Sequence, residues 1–120
     1  MPQTLDSLNR RFGLPGILHF ADGGVGLALA EITTPQASAR IALQGAHLLA
    51  WQPAGQSPVL WLSKAAVFAP GQAVRGGVPV CWPWFGARDG LPAHGLCAPA
   101  CGTCAQRVWT LRGKRCFVWA

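Results

Sequence analysis

The chain has 120 residues, which excludes an eight-unit βα barrel and any large two-domain enzyme and leaves one domain with a modest core. Hydrophobic residues make up 51% and charged residues only 12%, a balance that excludes a disordered chain. The net charge of +6 is uneven: residues 1–95 carry six basic and four acidic side chains, whereas residues 96–120 carry four basic ones and no acid. Residues 6–12 predict one short helical turn, ended near Gly13 and Pro15. A strand is expected at 17–20, followed by the turn signal Asp22-Gly23-Gly24. Val25, Leu27 and Leu29 then alternate with small residues, which is the period of a strand. Thr33-Thr34-Pro35-Gln36 breaks that pattern, and residues 39–43 and 46–51 form an expected pair around Gln44-Gly45. After a loop at 53–58, further strands are expected at 59–62 and 78–82, the latter entered through Gly76-Gly77. Short, regularly spaced strands of this kind predict an all-β fold, an antiparallel β-sandwich or barrel.

No apolar run reaches the ~20 residues of a membrane helix. The N-terminus has no basic stretch followed by an apolar one, so a cytoplasmic protein is expected, with no membrane partner. The informative block runs from residue 44 to 95. It contains Gln44-Gly45-Ala46-His47-Leu48-Leu49-Ala50-Trp51 and then Arg75-Gly76-Gly77-Val78-Pro79-Val80-Cys81-Trp82-Pro83-Trp84-Phe85-Gly86. It closes with Pro92-Ala93-His94-Gly95. In order and spacing this block resembles the hexose-6-phosphate mutarotases, or glucose-6-phosphate 1-epimerases, of the aldose 1-epimerase superfamily. The resemblance implies an antiparallel β-sandwich with the sugar bound against one sheet, of which this chain holds the N-terminal part. It also implies interconversion of the α and β anomers of an aldose 6-phosphate, a small-molecule substrate, with no cofactor.

Two residues carry over by their place in the motif. Arg75 matches the arginine that points into the family's cleft, and a guanidinium is a fixed fork of donors for hydroxyl or phosphate oxygens. His94 matches the histidine of the Pro-x-His-Gly turn that contacts the sugar. Both are expected to bind substrate. Several other residues have plainer readings. His47 lies in an apolar strand and reads as a satisfied core or edge histidine, and His19 has no context. Trp82, Trp84 and Phe85 suit either stacking on a sugar face or packing. Cys81 reads as a small buried hydrophobe. Asp89, in an Arg-Asp-Gly run, reads as a turn residue.

The resemblance also implies a catalytic acid histidine and base glutamate well beyond Gly95. This chain has no histidine after His94 and no acid after Asp89, so no catalytic residue is assigned and the chain alone is expected to be inactive. The expected division is therefore a mutarotase-like part at 1–95 and an atypical Cys/Arg-rich tail at 96–120, which a shifted reading frame would explain. Cys97, Cys101, Cys104 and Cys116 leave open a metal or redox role for that tail, but the spacing lacks a second Cys-x-x-Cys, and no metal site is assigned. Four positive charges without a recognisable module do not make a nucleic-acid site. A non-catalytic sugar-phosphate binding module is the alternative function. Oligomeric state is open.

Overall fold

A computed structural model describes residues 4–24 and 26–95. Helix α1 (Leu5–Phe12) begins where Thr4 caps it, its side chain accepting the Ser7 N–H at 3.2 Å. Asp6 lies in the first turn and Arg10 and Arg11 in the last, the charge order that complements a helix dipole. Leu8 is buried, with Leu5 and Phe12 beside it, because positions three and four apart share a helix face.

The chain then forms an antiparallel meander in the order β1-β2-β3-β4. The strands are β1 (Leu18–Asp22), β2 (Ala28–Thr33), β3 (Ala37–Ala42) and β4 (His47–Pro53). The link from β3 to β4 is a short 3₁₀ turn, Gln44–Ala46. Neighbouring residues along a strand face opposite sides, and β2 shows the consequence. Ala30 aligns with Phe20 and Ile41 on the face that α1 covers, where Leu8, Phe20 and Ala30 form one buried cluster. Leu29 aligns with Ala42 on the other face and is fully buried. There it joins Leu27, Ala42, Leu49 and Val74, with Leu62, Ala66 and Phe68 packed around them. The sheet thus has a small core on each face, one closed by the helix and the other by the chain after β4.

Two local devices shape the sheet. Asn9 of α1 uses its amide as a strand would, donating to the Phe20 carbonyl and accepting the Phe20 N–H, each at 2.8 Å. This satisfies backbone groups of β1 on the side away from β2, an edge that would otherwise be open to pairing. Between β3 and β4 the register shifts at Arg40/Ile41, so that Arg40 pairs with Ala50 and Ile41 with Leu48. Leu49 is the extra residue of this bulge, and it lies buried in the core.

The mostly antiparallel architecture agrees with the sequence expectation, but two expected strands are reduced to isolated bridges. Residues 59–62 contribute only Leu62 opposite Gly76, and residues 78–82 contribute Val78 opposite Leu48 and Trp82 opposite Gly95. Pro58, Pro79 and Pro83 lack the N–H a ladder needs, and the Trp82–Pro83 peptide is cis. Among the described residues there is therefore one sheet of a sandwich, not two. Trp61, Val59, Val78 and Val80 are exposed around it.

Candidate functional site

The Arg75 turn is built from glycine and held between two neighbouring segments, the start of β4 and residues 61–62. Gly76 and Gly77 adopt φ of +115° and +65°, where side chains other than glycine are strained. Space also demands glycine. A Cβ on Gly76 would lie 2.7 Å from the Leu62 Cα and the Trp61 carbonyl oxygen, and one on Gly77 would collide with the Leu48 carbonyl oxygen. The turn is wedged between Trp61-Leu62 on one side and His47-Leu48 on the other. The Ser63 N–H donates to the Arg75 carbonyl at 3.0 Å, and the Gly77 N–H donates to the Trp61 carbonyl at 2.8 Å. Leu48 and Val78 exchange both backbone bonds, at 3.1 and 2.8 Å. The backbone of Arg75 is thereby fixed while its side chain is exposed and has no hydrogen-bond or ion-pair partner among the described residues.

His94 is set by a different scaffold, an irregular loop from Trp82 to Gly95 closed by a parallel bridge between those two residues. Its tip is an 88–91 turn in which the Leu91 N–H bonds to the Arg88 carbonyl at 3.1 Å, and Asp89 sits in that turn. At its base Trp82 bridges to Gly95, and a Cβ on Gly95 would collide with the Trp82 carbonyl, so only glycine can follow His94 there. His94 itself has φ of +63°, an uncommon state for a side-chain-bearing residue and a marker of a constrained position. Gly86 holds it at two points. The His94 N–H donates to the Gly86 carbonyl at 2.9 Å, and the Gly86 N–H donates to His94 Nδ1 at 3.2 Å. Because Nδ1 accepts, the neutral ring carries its proton on Nε2. The Phe85 ring meets the imidazole edge-on, centroids 4.9 Å apart. His94 thus offers one oriented N–H donor, suited to a hydroxyl or ring oxygen.

No hydrogen bond joins Arg75 to His94, and each is held independently. The aromatic residues of the motif divide. Trp84 serves packing, its indole N–H bonded to the Pro92 carbonyl at 3.0 Å and its face under the Arg88 guanidinium at 5.3 Å. Trp82 and Phe85 are exposed, Phe85 at 82%. Cys81 is a free, half-buried thiol and not the fully buried residue expected from its apolar strand, because that strand is not formed. His47 is buried and bonded to backbone. Sequence reasoning gave no role to Gln44, whose side-chain amide clamps the loop before Arg75. It accepts the Gly71 N–H at 2.8 Å and donates to the Gln72 carbonyl at 2.9 Å.

Among the described residues no cluster of His, Cys, Asp and Glu could hold a metal, and no helix is long and apolar enough to cross a membrane. The four tail cysteines lie outside the described residues. Two shallow concavities, of about 250 and 360 Å³, lie elsewhere, over β3 and β4 beside Ser38 and Gln52. Neither touches Arg75 or His94.

The fold is that of solved mutarotase structures. It superposes on the crystal structure of a provisionally named mutarotase (YeaD) from Salmonella typhimurium with a TM-score of 0.65 and 46% identity, covering 77% of this chain and 34% of that one. The structure of HI1317 gives a TM-score of 0.64 at 38% identity, over 70% of this chain and 31% of that one. The chain belongs to the aldose 1-epimerase family, whose model matches residues 28–117. A provisionally named glucose-6-phosphate 1-epimerase of Escherichia coli (strain K12) is 62% identical over 72 residues, 58% of this chain and 24% of that protein. The chain therefore spans about a quarter of the length of the curated relatives it matches.

Proposed function

We propose that residues 44–95 form one wall of an aldose 6-phosphate site of the hexose-6-phosphate mutarotase type. Arg75 binds phosphate or hydroxyl oxygens through its guanidinium, and His94 donates its Nε2–H to a sugar oxygen. The observation that carries this reading is the pair of hydrogen bonds between Gly86 and His94, one in each direction, which fixes both a left-handed backbone and the ring's tautomer. Such pre-set donors lower the ordering cost of binding.

Anomer exchange needs a base to remove the C1 hydroxyl proton and an acid to protonate the ring oxygen as the C1–O bond breaks. Rotation about C1–C2 and closure from the other face then invert the anomeric carbon. Asp89, the acid nearest the motif, sits at the exposed tip of the 88–91 turn, and no carboxylate among the motif residues is offered as the base. The 120-residue chain by itself is accordingly a binder that does not turn substrate over. In this reading the mutarotase-like part is residues 1–95, and sequencing the gene across the codons for residues 92–120 checks whether the frame changes after it.

Titration with glucose 6-phosphate, read by tryptophan fluorescence, tests the assignment. Saturable binding is expected, weakened ~10- to 100-fold in Arg75→Ala, the worth of hydrogen bonds to a charged group. Equal affinity in wild type and Arg75→Ala refutes it.

A further inference from the structure

We infer that His47 is a positioning residue for Arg75, an inference that rests on the proposed role of Arg75 in binding. His47 begins β4, is only 3% exposed, and is the single buried polar or charged side chain among the described residues. Its Nε2 lies 2.6 Å from the carbonyl oxygen of Gly76. A carbonyl can only accept, so Nε2 carries the proton and donates. The group it holds is the carbonyl immediately after Arg75. The Arg75 carbonyl and the Gly77 N–H are already held by Ser63 and Trp61 from the opposite side. His47 supplies the third restraint, and the only one of the three from a side chain. Glycine at 76 and 77 gives the turn its conformation but leaves it intrinsically free, so an external restraint decides which way the Arg75 side chain leaves the backbone.

A histidine that merely fills the core predicts something different. Phenylalanine fills nearly the same space, and on that view it would change stability alone. On the positioning view His47→Phe releases the Gly76 carbonyl and loosens Arg75, while His47→Gln, whose amide N–H reaches a similar distance, restores the restraint.

Two readouts on the full chain separate these views. The first is glucose 6-phosphate affinity, where His47→Phe is expected to weaken binding about tenfold and His47→Gln to recover it. The second needs no ligand: trypsin cleavage after Arg75, measured by mass spectrometry as a ratio to cleavage after the exposed Lys64. That ratio is expected to rise about tenfold in His47→Phe and to return to the wild-type value in His47→Gln. If His47→Phe does not fold, His47→Asn replaces it, since its shorter amide cannot reach Gly76, and the same results are expected. An unchanged cleavage ratio overturns the inference whatever the ligand does. Failure of the wild-type chain to bind glucose 6-phosphate overturns the proposed function instead, and the cleavage ratio still decides the role of His47.

Discussion

Gly77→Ala is the most direct perturbation of the turn that carries Arg75. The alanine must hold φ near +65°, which costs about 1 kcal/mol for a residue with a Cβ. Its Cβ would also press into the Leu48 carbonyl oxygen, closer than any real Cβ contact, so Leu48 and Val78 must part. That breaks two backbone bonds, at about 1 kcal/mol each. The expected total is about 3 kcal/mol of lost stability. Gly55→Ala is the matched control, because Gly55 has φ of +71° and a Cβ added there would meet nothing within 4 Å, so that only the strain of about 1 kcal/mol applies. Urea unfolding of the full chain, followed by tryptophan fluorescence, measures both. Equal losses for the two variants would refute the steric argument and with it the claim that the turn is wedged between β4 and residues 61–62.

Asn9→Leu removes both bonds to Phe20 while keeping apolar bulk under the helix, and it is expected to cost about 2 kcal/mol in the same urea assay. A loss below about 0.5 kcal/mol would show that the Asn9 amide does not close the β1 edge. Arg40→Ala breaks the cross-strand pair with Glu31, whose 3.5 Å contact lies between side chains that are both more than a third exposed. Solvent screening limits such a pair, so the change in stability is expected to stay within about 0.5 kcal/mol and to vanish in high salt.

The strands of the sheet were legible to within a few residues from the turn signals between them. The alternation of Val25, Leu27 and Leu29 fell short of β2, which runs Ala28–Thr33 with Leu29 and Ala30 both buried, whereas Thr33-Thr34-Pro35-Gln36 marked its turn to β3 and Gln44-Gly45 the turn into β4. The helix was legible from the run ending at Gly13, although the expected range missed Leu5 and the Thr4 cap. Strands expected at 59–62 and 78–82 were not formed, since alternation over four or five residues counts for little beside prolines and glycines in positive φ. Family resemblance picked out Arg75 and His94 as candidates, but not what holds them. The contacts Gly86 to His94, His47 to Gly76 and Gln44 to the 71–72 backbone span from 8 to 29 residues and leave no local signature. Trp84 could not be separated from Trp82 and Phe85 by sequence, because only the Pro92 carbonyl and Arg88 distinguish its environment.

An NMR titration of the ¹⁵N-labelled chain with glucose 6-phosphate tests most directly where on the chain the sugar phosphate binds. Amide shifts confined to Arg75, Gly76, Gly77, Gly86 and His94, and needing ~10- to 100-fold more ligand in Arg75→Ala, are the predicted result. Shifts centred instead on Ser38, Trp51 and Gln52, beside the concavities of the sheet, would place the ligand elsewhere and contradict the account.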